Sequence, residues 1–225
     1  MIYFFADNHY GVHPGKQIFS ALPGELKARI RFFEDDFSLL ENASWKEDCE
    51  LLILHLIGGT CGNPHPDSGA EKAVREYYGK GNNILLLHGS SAAFWKWGWW
   101  RKAAGLRWVR PEDPDGVPAS CHPSAPCTVL RAKTRHRLSS SLLRDFSLPE
   151  DEIYTALEET APIMTLMTCD VNGKTFPQCC ECISPSGGKI LSFLPGHRKE
   201  CTENPDLIFN IVQLIRYSLE TNHEQ

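Results

Sequence analysis

Three short runs of nearly unbroken apolar residues constrain this chain most: Ile2–Ala6, Leu51–Ile57 and Ile84–Leu87. A strand that is apolar on both of its faces must be covered on both faces, which is the habit of parallel sheets flanked by helices. Helical patterns fall around these runs. His13–Leu22 is ended by Pro23-Gly24, Ala70–Tyr78 is stopped by Gly79 and Gly81, and Ala92–Ala104 is rich in tryptophan. Ala28–Phe33 mixes charged and apolar residues and reads as a second strand. Strands alternating with helices predict a doubly wound α/β domain of three layers with a mostly parallel sheet. In the second half, Pro111–Pro126 reads as a long loop and Thr128–Lys133 as a strand. Ile163–Cys169, Gln178–Ile183 and Lys189–Phe193 read as a meander, and Leu207–Leu219 has the spacing of a closing amphipathic helix. Residues 1–225 are therefore expected to form one domain with added strands in the second half.

Composition excludes several classes. With 42% apolar and 23% charged residues, the chain is not disordered, collagenous or a coiled coil throughout. A net charge of -5 argues against nucleic acid, whose phosphates demand a basic face. The first apolar stretch stops at Asp7 with no basic residue before it, unlike a signal peptide, and no run approaches the roughly 18 residues of a membrane span. A cytoplasmic protein that meets neither membrane nor nucleic acid is expected. Nine cysteines, an odd count, then read as thiols. Cys179, Cys180 and Cys182 lack the second pair of a zinc ribbon and read as packing groups. Cys121 and Cys127 flank His122 in the Pro-rich loop, where packing again outweighs a metal.

Ligands of open parallel sheets sit beyond the carboxyl ends of the strands. The polar residues that follow the predicted strands are Asp7, Asn8 and His9; Gly58 to Gly62; His88, Gly89, Ser90 and Ser91; and Gly196 with His197. These turns should share one edge, where His88 and His197 can face each other. Asn8, His9, Gly58 and Ser90 are candidate substrate contacts. Imidazole moves protons or binds metal near neutral pH. No G-x-x-x-x-G-K-[ST] or helix-opening G-x-G-x-x-G occurs, so no nucleotide is expected. Gly59-Thr60-Cys61-Gly62-Asn63 approaches a nucleophile elbow, but Pro64 and Pro66 forbid the helix that would present Cys61. Leu148–Tyr154 reads as a helix N-terminus rich in carboxylates, and Arg135-His136-Arg137 as a solvated turn. Trp95, Trp97, Trp99 and Trp100 pack a core or an oligomer contact, unless Trp97 offers its face to a sugar ring.

Four segments resemble the trehalose-utilisation (ThuA-like) family. They are Gly79-Lys-Gly-Asn-Asn-Ile-Leu-Leu-Leu-His-Gly-Ser90, Thr134-Arg-His-Arg-Leu138, Asp151-Glu-Ile-Tyr154 and Gly187-Gly-Lys-Ile-Leu-Ser-Phe-Leu-Pro-Gly-His197. The likeness spans roughly residues 50–220 and departs from the family pattern at Arg137, where a proline is usual. It implies a flavodoxin-like, class I glutamine-amidotransferase-like fold without the amidotransferase cysteine. It also implies one pocket holding His88, His136, Glu152 and His197, with Tyr154 nearby. Those residues become the candidate catalytic set, and His88, His136, Glu152 and His197 suit one divalent ion such as Zn, Mn or Fe. The expected function is an enzyme acting on a small carbohydrate, a disaccharide or keto-sugar. The alternatives are a non-catalytic sugar- or protein-binding domain on the same scaffold, and a thiol hydrolase using Cys61.

Overall fold

The computed structural model describes residues 1–8, 11–59 and 64–220. Its centre is a nine-stranded mixed sheet. The strands are β1 (Ile2–Ala6), β2 (Ile30–Glu34), β3 (Leu51–His55), β4 (Asn83–Leu87), β6 (Ser124–Arg131), β7 (Phe146–Glu152), β9 (Ile163–Val171), β10 (Lys174–Ile183) and β11 (Lys189–Phe193). A separate two-stranded ribbon pairs β5 (Leu106–Arg107) with β8 (Glu158–Glu159). The sheet order is β2-β1-β3-β4-β11-β10-β9-β6-β7. The ladders from β2 to β11 are parallel, and those from β11 to β7 antiparallel.

The uniform apolarity of the parallel strands follows from their two covered faces. Ile2, Phe4, Leu51, Ile53, Leu85, Leu87, Leu191 and Phe193 point into one buried cluster. Their neighbours Tyr3, Phe5, Leu52, Leu54, Ile84, Leu86 and Ile190 point into another. The alternation is the period-two pleat of a strand. Helices Pro14–Ala21 and Pro205–Leu219 cover the first face through Ile18, Leu207, Ile211, Leu214 and Ile215. Helix Ser68–Gly79 covers the second through Ala70, Ala73, Val74 and Tyr77. Both long helices start on side-chain caps. The Asp67 carboxylate accepts from Gly69 and Ala70 N–H, and the Asn204 amide oxygen from Asp206 and Leu207 N–H. Such caps contribute about 1 kcal/mol each.

The antiparallel half curls back over the first face. Bulges interrupt β10 around Gln178 and β6 at Pro126, and bulges bend the strand that carries them. The outermost strand, β7, thereby returns to β11: Phe146 lies 6.2 Å from Phe193, and Asp151 accepts from the N–H groups of Gly196 and His197 at 2.8 and 3.0 Å.

Two sequence expectations are corrected. Leu148–Tyr154 opens no helix: Phe146 and Leu148 alternate inward along an edge strand, where Pro149 is tolerated because one side of the strand is unpaired. The tryptophan-rich Ala92–Ala104 is helical only at Trp100–Ala103. A 3-10 turn occupies His88–Ala92, and Phe94 at φ 54 breaks any continuation.

Candidate active site

β1, β3, β4 and β11 run in the same direction, so Asp7, the 56–59 segment, His88 and Leu194–His197 emerge on one edge of the sheet. β7 runs the same way and delivers Glu152 there. His88 opens the turn after β4 in the left-handed region, φ 48, a conformation that a non-glycine residue holds only when its surroundings over-determine it. Its Nδ1 lies 2.9 Å from the Leu194 carbonyl oxygen. A carbonyl only accepts, so Nδ1 donates to Leu194 and Nε2 is turned toward the cluster. Nε2 faces His197 Nδ1 at 3.1 Å and Glu152 Oε2 at 3.6 Å. His197 Nδ1 is 3.5 Å from the same oxygen. His88 is buried, while Glu152 and His197 are partly open to solvent.

Burial alone would raise the Glu152 carboxyl. The contact with His88 and the charges of His197, His88 and His122 outweigh it and hold Glu152 below the ordinary glutamate range. Asp151, one residue earlier and fully buried, binds the backbone of Gly196 and His197 and so positions the second imidazole. At the neighbouring strand ends, Asp7 Oδ2 accepts from Ile57 and Gly58 N–H at 2.9 and 2.8 Å. The His55 ring stacks on His88 with centroids 5.8 Å apart.

The outer wall was not foreseen as part of the site. His122 Nδ1 lies 3.5 Å from Glu152 Oε1, the oxygen not turned to the other histidines. Its ring packs beside Trp108 at 5.1 Å and Tyr154 at 5.7 Å, and Tyr154 meets His88 edge-on at 5.2 Å. The sequence offered one sign, an imidazole beside two cysteines. However, Cys127 is buried in β6, and Cys121 faces Thr155.

Other predicted residues lie elsewhere. His136 does not join His88, Glu152 and His197. β6 runs antiparallel to β11, so the turn after it falls on the opposite edge of the sheet. There His136 Nε2 contacts Glu181 Oε2 at 3.1 Å, and the Tyr217 hydroxyl donates to Glu181 Oε1 at 3.0 Å. Trp97 is 3% exposed and stacked on Phe94 at 3.9 Å, so its face is taken by the core. Ser90 is buried too: its hydroxyl accepts from Leu56 N–H and sits within 2.8 Å of the carbonyl oxygens of Leu54 and Leu87. Gly58 N–H is held by Asp7, while Asn8 donates its N–H to Asp35 and accepts from His13 N–H. His9 and Cys61 lie outside the described residues.

The fold, a flavodoxin-like α/β sheet with an imidazole–carboxylate cluster at its strand ends, defines a class rather than a reaction. The profile of the trehalose-utilisation family (ThuA) matches residues 19–218, and the chain belongs to that family. The structure is similar to that of a ThuA-like protein from Parabacteroides merdae, with a TM-score of 0.71 at 13% identity, covering 97% of this chain and 88% of that one. It is also similar to a ThuA-like protein from Bacteroides uniformis, with a TM-score of 0.68 at 16% identity over 97% and 91% of the two chains. A cytoplasmic protein from Salmonella typhimurium follows at 0.63 and 11% identity over 96% and 99%. At these identities the likeness is one of fold. No curated protein matches the chain in sequence. No helix among the described residues is long and apolar enough to cross a membrane.

Proposed function

We propose that this protein is a cytoplasmic enzyme of carbohydrate metabolism, acting on a disaccharide or keto-sugar with the help of one divalent metal ion. The observation that carries the reading is the convergence of one ligand atom each from His88, Glu152 and His197, all within 4.8 Å of one another. Donors around one Zn-sized ion sit about 3.3 Å apart. The separations here are 3.1, 3.5 and 3.6 Å. Two imidazoles and one carboxylate form the donor set of catalytic zinc and non-haem iron sites that keep open positions. His88 also has the outer partner such ligands require, since its Nδ1 proton is spent on Leu194.

When bound, a divalent ion polarises a sugar hydroxyl or carbonyl, or makes its water acidic enough to attack at neutral pH. The chain's own groups would do the rest. His88 Nε2, His197 Nδ1 and Glu152 Oε2 would hold the ion, and Asp151 would keep His197 in place. The Tyr154 side chain, packed edge-on against His88, would border the reacting sugar. An acid–base pair of ordinary glycosidase type is not supported, because Glu152 is the carboxylate of this cluster and no second one joins it among the described residues.

Metal content by plasma mass spectrometry tests the reading on wild type, His88→Ala and His197→Ala. About one equivalent of Zn, Mn or Fe in wild type, lost in both variants, is expected. Turnover of a disaccharide or keto-sugar should disappear with it. A wild type that takes up none of these ions after loading overturns the metal-dependent reading. Sugar binding without turnover would make this a binding domain.

A further inference from the structure

The segment between β5 and β6 closes on itself beside the triad. Val109 and Ser120 meet at its neck: Ser120 N–H donates to the Val109 carbonyl, and Val109 N–H to the Ser120 hydroxyl, each at 2.9 Å. The same hydroxyl donates to the Ala156 carbonyl at 3.0 Å. Next along the chain, Cys121 and Thr155 exchange backbone hydrogen bonds at 3.2 and 2.8 Å. Inside the loop the buried Asp113 carboxylate accepts from Arg101 and Arg107 at 2.6 and 2.8 Å. The loop is thus braced at its tip and at its neck.

Trp108 and His122 flank this neck on either side. Their rings lie 5.1 Å apart, and Tyr154 is 5.3 Å from Trp108 and 5.7 Å from His122. Tyr154 is buried and Trp108 is half-buried against the same small cluster, whereas the His122 side chain stays 43% exposed with its Nδ1 3.5 Å from Glu152. Ala156, which anchors the neck, sits at φ 54, a strained backbone for alanine. Strain at such a place is held by its surroundings and is often found next to ligand sites.

We propose that Trp108 and His122, backed by the buried Tyr154, form a subsite for one pyranose ring, adjoining the His88–Glu152–His197 triad. The proposal rests on the carbohydrate reading above. A pyranose has an apolar C–H face, which suits aromatic rings, and a rim of hydroxyls. Seated on Trp108 and His122, a ring places a hydroxyl where it donates to Glu152 Oε1. The remainder of the substrate then lies over the triad. The Val109–Ser120 neck of the loop holds Trp108 and His122 at this position.

Saturation-transfer difference NMR tests this with trehalose, maltose and glucose as probes. Saturating the aromatic protons of wild type should mark the C–H protons of one sugar ring. Trp108→Ala and His122→Ala should weaken binding about tenfold, the scale of one aromatic contact. Trp108→Phe, which keeps a ring, should retain most of the signal, and Trp95→Phe all of it. Unchanged sugar signals in both Trp108→Ala and His122→Ala would overturn the subsite while leaving the carbohydrate reading intact. No signal from any sugar with wild type would overturn both. Should Trp108→Ala fail to fold, His122→Ala decides alone, because its exposed side chain supports no core.

Discussion

At the scale of single residues, the site depends on how one carboxylate is shared. Glu152 turns Oε2 to His88 and His197 and Oε1 to His122. Its carboxyl is held below the ordinary range against the opposing effect of burial. A carboxyl depressed in the folded state stabilises the fold above its unfolded value, about pH 4.3, and loses that contribution as pH falls through the folded value. Glu152→Gln removes the contribution. The difference in unfolding temperature between wild type and Glu152→Gln is therefore expected to shrink on going from about pH 6 to about pH 3; a gap that widens on acidification would contradict it. Gly89 gives a second check. A Cβ there would collide with Ile57 Cγ2 and come within 3.3 Å of the Tyr154 hydroxyl. Gly89→Ala should cost about 1–3 kcal/mol in chemical denaturation and displace Tyr154 from the site. His88 and His197 were legible because each sits within a few residues of a strand end. Glu152 was legible only through the family's Asp151–Tyr154 motif, and His122 was not assigned to the site. Nothing local distinguishes an exposed histidine in a loop from one that reaches a carboxylate 30 residues away.

At the scale of elements, the antiparallel half supplies both the site's carboxylate and a separate latch. His136, from the turn after β6, Glu181 of β10 and Tyr217 of the last helix meet on the far edge of the sheet. Leu138 N–H donates to His136 Nδ1 at 3.2 Å, so Nε2 is the nitrogen that donates to Glu181. Burial, with the neighbouring Glu181 charge, pushes the Tyr217 phenol upward and keeps it a donor. Tyr217→Phe leaves a buried carboxylate oxygen without that donor, and a loss of about 1–3 kcal/mol in unfolding free energy is expected. Metal content should be unchanged. A variant that lost metal instead would tie this latch to the triad. The buried parallel strands were readable because unbroken apolarity is a strong local signal. β7 was misread because its Pro149, Glu150, Asp151 and Glu152 carry the composition of a helix start, while its strand character comes from pairing with β6.

At the scale of the whole molecule, the triad ties together parts of the chain far apart in sequence. His88 and His197 are 109 residues apart at the ends of central strands, and Glu152 comes from the strand at one margin of the sheet. A metal bound there would crosslink β4, β7 and the segment after β11, through donors that only the folded state brings together. At a free metal concentration a hundred times the dissociation constant, the fold should gain about 2.7 kcal/mol. For a chain of this size that is roughly 5–10 °C in unfolding temperature. Calorimetry with and without added Zn or Mn should show the rise in wild type and none in His88→Ala; an equal rise in both would place the metal elsewhere. By itself the sequence determined the parallel half, its turns and the two histidines at their ends, because buried strands and glycine-bearing turns are written in consecutive residues. Only the tertiary structure decided that β7 curls back to bring Glu152 between those histidines, that His136 goes to the other edge, and that His122 and Trp108 close the wall. These outcomes depend on strand direction, bulges and loop closure, and each is settled by contacts between residues distant in the chain.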